Sequence, residues 1–77
     1  MKQPVTTLKT GEEGIVSHFS DVQMAGKFVS MGVLPGSSVR VVRIAPFNGG
    51  YYLRVDDTNL VLRTEEAHSI ILNSLSA

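Results

Sequence analysis

The stretch "SMGVLPGSSVRVV" (Ser30–Val42) decides the fold, because two apolar runs of different period meet in it. Gly32 stands where a helix would stop, since the left-handed C′ position costs glycine little. "LPGS" (Leu34–Ser37) puts proline second and glycine third, the pattern of a type II turn whose third residue needs positive φ. After the turn, "SVRVVRIAP" (Ser38–Pro46) alternates as a strand does, and the alternation breaks at Val41–Val42, which predicts a bulge.

Upstream, "SDVQMAGKFVSMG" follows a helical period. At about 100° per residue, Val22, Met24, Ala25, Phe28, Val29 and Met31 share one half of the surface. Gln23, Gly26, Lys27 and Ser30 share the other. Ser20 and Gln23 have the spacing of a capping box. Gly26, in mid-helix, marks close packing, because it costs about 1 kcal/mol against alanine there. Before the helix, "TGEEG" (Thr10–Gly14) reads as a turn and "GIVSHF" (Gly14–Phe19) as a β-branched, apolar strand. Residues 1–7 read as a lead-in, with Leu8 the first core anchor.

Downstream, "FNGG" (Phe47–Gly50) is a hairpin tip, "YYLRV" alternates, and "DDTN" (Asp56–Asn59) is a tight turn before "LVLR" (Leu60–Arg63). Thr64 is placed to cap a short helical turn whose first residues, Glu65 and Glu66, suit the helix dipole. Ile70–Leu72 could continue that helix, but three apolar residues in a row favour a short buried last strand; residues 74–77 form a tail. Strand, helix and then several short strands with tight turns suggest a small closed or partly closed barrel of about five strands, all-β apart from the inserted helix.

The chain has 77 residues, one domain's worth, and no cysteine, so disulfides and thiolate metal sites are absent. Seven Lys and Arg against seven Asp and Glu give zero net charge. That balance supplies no long-range attraction for a polyanion, so no nucleic-acid partner is expected. It also leaves little repulsion between copies, so a homo-oligomer stays open. No apolar run reaches the length of a signal h-region or a spanning helix, which points to a cytoplasmic chain without membrane insertion.

Chemistry is sparse. Adjacent Ser17, His18, Ser20 and Asp21 do not make a triad, whose members come from separated segments. "GEEG" lacks the lysine of a phosphate loop. No enzyme is expected. A ferrous-type site needs histidines and a carboxylate converging on one face. The candidates are His18, His68, Glu65 and Glu66, with Glu12, Glu13, Asp56 and Asp57 further off, and the spacing of none is that of a ligand motif. At most a weak site for Fe2+ or another divalent transition metal is implied, and no cofactor. Arg40, Arg43, Arg54 and Arg63 near Tyr51, Tyr52 and Phe47 resemble a single-strand-binding surface, but they also read as the solvated face of a half-buried sheet.

Partner docking fits better. Leu34 and Pro35 sit on a turn and Phe47 on a loop, where each either plugs the barrel or meets a partner. Met24 and Met31 are core filler or an adaptable surface. Arg43 completes the set of partner-binding candidates.

The ordered set "LKTGEEGIV", amphipathic helix, "MGVLPGSSV", "APF" and "LVLRTEEA" resembles the ferrous iron transport protein A (FeoA) family from Leu8 to about Leu72. The resemblance implies an SH3-like barrel with a helix after the first strand. It implies a non-enzymatic, cytoplasmic accessory of FeoB, the membrane transporter for ferrous iron that carries a GTPase domain. A similar domain ends some iron-dependent transcriptional repressors, so a metal-responsive module acting with a regulator is the alternative. One departure stands out: after Ala45–Pro46 the family often has a leucine–glycine–aspartate–proline loop, and here "FNGG" lacks its carboxylate and proline.

Overall fold

The computed structural model describes residues 2–73; the expected tail at 74–77 lies outside them. Six strands, β1 (Lys2–Pro4), β2 (Glu13–Phe19), β3 (Ser38–Ala45), β4 (Gly50–Val55), β5 (Thr58–Leu62) and β6 (Ile70–Asn73), form one antiparallel sheet in the order β1-β6-β2-β3-β4-β5. Helix α1 (Val22–Ser30) follows β2, and the short α2 (Thr64–His68) precedes β6. The fold is small, SH3-like and mostly strand, as the resemblance implied. Its hydrogen-bonded sheet is open: β1 and β5 are its two edges.

Strand β2 turns the corner of the sheet. Its first half, Glu13–Ile15, pairs with β3, and its second half, Val16–Phe19, pairs with β6, with a register shift between Val16 and His18. Inward residues of both halves then converge on one core, in which Val5, Val16, Phe28, Val33, Val39, Val41, Leu53, Leu62, Ile70 and Leu72 are buried. The bulge expected in β3 is present, as the register against β4 shifts between Val41 and Arg43. It returns Val42 and Arg43 to solvent while Val41 stays in the core.

The opening stretch is built as its residues dictate. At the end of α1 the Gly32 amide donates to the Val29 carbonyl at 3.0 Å and the Val33 amide to Phe28 at 2.9 Å, a full Schellman motif with Gly32 at φ +90°. Its hydrophobic contact pairs the buried Val33 and Phe28. Gly36 (φ +95°) then forms the third position of a turn closed by the Ser37 amide on the Leu34 carbonyl at 2.9 Å. The turn is stitched to β2 as well: Gly36 donates to the Val16 carbonyl at 2.8 Å, and the Val16 amide donates to Ser37 at 2.9 Å. The turn is therefore a splice between helix and sheet.

Several local expectations change. The first seven residues are not a bare lead-in: β1 pairs with β6, a 3-10 turn follows at Val5–Thr7, and Val5 is fully buried. Nonlocal pairing with β6 raises the strand count to six, and no local pattern in residues 2–4 announces it. The N-cap of α1 is Asp21, not Ser20: its carboxylate accepts from the Gln23 amide at 2.9 Å and lies beside the positive helix end. Ser20 instead meets the end of α2, its amide donating to the carbonyl of the C-cap Ser69 at 2.9 Å. At α2 the N-cap is Arg63, because the Glu66 carboxylate reaches back to the Arg63 amide at 2.9 Å and starts the helix one residue earlier. The β4–β5 turn is only Asp56–Asp57, and β5 starts at Thr58. Asp56 (φ +52°) holds this hairpin to β3, its Oδ1 accepting from the Ser38 amide at 3.1 Å.

Candidate docking surfaces

The metal candidates come first. β2 and β6 do pair, with His18 opposite Ile71, but His68 ends α2, ahead of that strand. Their rings are engaged separately, His18 Nδ1 with Ser17 Oγ at 3.0 Å and His68 Nδ1 with Thr6 Oγ1 at 3.0 Å. Glu66 is committed to Lys27 and to the Arg63 amide, and its carboxyl is held below the usual carboxylate range, chiefly by the Lys27 hydrogen bond. Glu65 lies exposed in the first turn of α2. Among the described residues no three of His, Asp and Glu converge as a metal-holding group.

The partner candidates divide into two regions. Phe28 alone of the α1 stripe is fully buried, its ring tilted against Phe19 with centroids 5.1 Å apart. Met24 and Met31 are half-buried against the core, whereas Val22 and Val29 are exposed. A nine-residue helix touching the barrel mainly through one aromatic ring cannot bury a half-circumference stripe. Leu34, at 46 % exposure, and the exposed Pro35 continue this surface. Neither plugs the barrel.

Phe47 stands at the opposite feature, the β3–β4 hairpin tip, with its whole side chain in solvent. Phe47 (φ +57°) and Asn48 (φ +61°) both lie in the left-handed region, and the Gly49 amide closes the turn on Pro46 at 3.0 Å. This is the backbone of a type I′ hairpin, where glycine or asparagine is the usual occupant and a bulky ring is strained.

The arginines lie on the outer face of β3 and β4. Arg40 and Arg54 are directly opposite each other, and Arg43 is opposite Tyr52, over whose ring it sits at 5.7 Å. Glu13 approaches Arg40 at 3.6 Å and Asp57 approaches Arg54 at 3.8 Å. Between these rows Val42, Tyr52 and Val61 are exposed beside the half-buried Leu60 and line a shallow, mostly apolar cleft of about 240 Å³. Val42 and Val61 were not singled out as functional by the sequence reasoning. The alternation of "YYLRV", with Tyr51 inward, was the available signal; the facing register was not.

Comparison with known proteins accounts for the whole architecture. The family described as "FeoA domain" matches residues 3–74. The chain belongs to the FeoA family. Among solved structures it is similar to an iron uptake regulatory protein (FeoA), with 25 % identity, a TM-score of 0.80, and coverage of 95 % of this chain and 96 % of that one. A FeoA-like protein from Clostridium acetobutylicum shares the fold at 21 % identity and a TM-score of 0.86, covering 96 % and 87 %. A manganese-dependent transcriptional repressor matches at 28 % identity and a TM-score of 0.85, over 96 % of this chain but 42 % of the repressor. This FeoA domain therefore corresponds to one module of that larger protein.

Proposed function

We propose that this FeoA-family protein is a non-enzymatic accessory of ferrous iron uptake that docks on the cytoplasmic region of a FeoB-type transporter. The observation that carries the reading is the family match over residues 3–74, which takes in every described structural element but the first residue of β1. The surfaces agree with it. Apolar side chains stand in solvent at Leu34, Phe47, Val22 and Val61, and large aromatic or arginine side chains such as Phe47 and Arg43 are common hot spots of interfaces. The partner set Leu34, Pro35, Met24, Met31, Phe47 and Arg43 is offered on that basis.

The test is co-purification and calorimetry of the full chain with the transporter's soluble region, with nucleoside di- and triphosphate bound. Complex formation at micromolar concentration is expected. No complex up to high micromolar concentration in either nucleotide state would overturn the reading. The second reading, a module acting with a metal-responsive transcriptional regulator, draws on the 28 % identity to the manganese-dependent repressor. Iron calorimetry separates it, because a metal-responsive module that senses by itself would bind the ion stoichiometrically.

A further inference from the structure

We infer that the outer face of β3, β4 and β5 is a docking surface for an extended acidic segment that seats one large apolar side chain in the cleft lined by Val42, Tyr52 and Val61. The inference rests on the reading of this domain as a docking accessory and names the chemistry of one interface.

Three observations carry it. The first is the cleft itself. Val42, which the β3 bulge turns outward, meets Tyr52 and Val61, which are cross-strand neighbours. At about 240 Å³ it lies below the range of sites for whole small-molecule ligands and suits a side chain or two. The second is charge. On a chain of zero net charge, three arginines are gathered on this one face: Arg43 on one side of the cleft, Arg40 and Arg54 on the other. Like charges directly opposite across strands are unfavourable. Arg40 and Arg54 are each offset by one exposed carboxylate, Glu13 at 3.6 Å from Arg40 and Asp57 at 3.8 Å from Arg54, and Arg54 also donates to Asn59 Oδ1 at 3.2 Å. Arg43 has no ion pair among the described residues and is instead fixed over the Tyr52 ring, its cation beside the apolar cleft. An incoming carboxylate would complement Arg43 and reduce the Arg40–Arg54 repulsion. The third is the edge. β5 is paired on one side only, and among the described residues its other side makes no backbone hydrogen bond to another element. That open edge lets an extended segment cross β5 and lie over the outer face, where its apolar side chain meets Val61 and Tyr52 and its carboxylates meet the arginines beyond.

The test uses the 15N-labelled full chain titrated with three blocked pentapeptides, EDLED, EDAED and KKLKK. Expected are saturable amide shifts at Val42, Arg43, Tyr52, Asn59 and Val61 with EDLED, weaker binding with EDAED, and none with KKLKK. Arg43→Glu and Val61→Asp, both on exposed side chains, should each weaken EDLED binding about tenfold or more. Val61→Thr keeps the β-branched strand residue and checks that the strand persists. No saturable shift at millimolar peptide, equal shifts with KKLKK, or shifts centred on Leu34 and α1 would overturn the inference. Dilution-dependent shifts on this face without peptide would also overturn it, by making a second copy the occupant. Parallel binding of the variants to the transporter's soluble region separates the two readings. Wild type and both variants binding equally would overturn this assignment and leave transporter docking intact. EDLED binding without transporter binding would do the reverse.

Discussion

Lys27 on α1 donates a hydrogen bond to the Glu66 carboxylate on α2, joining the two helices through residues 39 positions apart in the chain. The same carboxylate accepts the Arg63 amide at 2.9 Å, so one side chain both caps α2 and ties it to α1. The ammonium is half-exposed while the carboxylate is mostly covered. The pairing is thus screened on one side only.

The pH dependence of stability follows from that arrangement. The Glu66 carboxyl titrates below its ordinary value of 4.5 in the folded state, first because of the Lys27 hydrogen bond and then the Arg63 amide. A depressed carboxylate contributes stability that is complete above the unfolded value and is lost as pH falls through the folded one. Urea midpoints should therefore hold from neutral pH to about the ordinary carboxylate range and then decline. Glu66→Gln should flatten the decline in that acid window, and Glu66→Ala should cost about 1 kcal/mol at neutral pH. An unchanged acid limb in Glu66→Gln would show that the linkage lies elsewhere.

Val5 measures how far the first residues belong to the domain. It is fully buried beside the β1–β6 pairing. Val5→Ala should destabilise by about 2 kcal/mol in denaturant titrations. Thr7→Ala, an exposed neighbour whose hydroxyl meets only the local Pro4 carbonyl, should cost well under half of that.

Three glycines separate backbone from packing. A Cβ at Gly26, Gly32 or Gly36 would meet no heavy atom within 4 Å, yet only Gly32 and Gly36 have positive φ. Gly26→Ala should raise stability by about 1 kcal/mol, because the close packing expected at this residue does not exist. Gly32→Ala and Gly36→Ala should each lower it by about 1–2 kcal/mol. Thermal melts of the three single variants provide the comparison.

Phe47 combines complete exposure with a left-handed backbone. Phe47→Asn should stabilise the hairpin by about 1 kcal/mol, since asparagine tolerates this φ. If the ring is retained for docking, the same variant will bind the transporter region more weakly while melting higher. A variant that melts lower would show that the ring supports the fold.

How much was legible depended on the range of the physics involved. The helix stop at Gly32, the turn at Leu34–Ser37, the bulge after Val41 and the strand following α2 are local: each depends on φ preferences or on side-chain period within a few residues. The Ser20 cap was misplaced by one residue because serine and aspartate both cap well, and only the direction of chain entry selects Asp21. The α1 stripe was overextended because periodicity marks the apolar half of a helix but not the width of the surface it meets.

Of the candidate surfaces, Leu34 and Phe47 were recognisable as apolar residues on turns, but their exposure was not. The Arg43–Tyr52–Val61 row required the register of three strands, and register is set by the nonlocal filling of the core.

By itself, then, the sequence determined the helix stop at Gly32, the turn after it and the strand periods, and through their order the FeoA family. Tertiary structure alone decided that Lys2–Pro4 pairs with β6, that Val5 completes the core, and that Leu34 faces out. The physical reason is the same in each case. Local residues restrict φ and ψ, whereas pairing, burial and exposure are chosen by segments far apart in the chain competing for one small apolar interior.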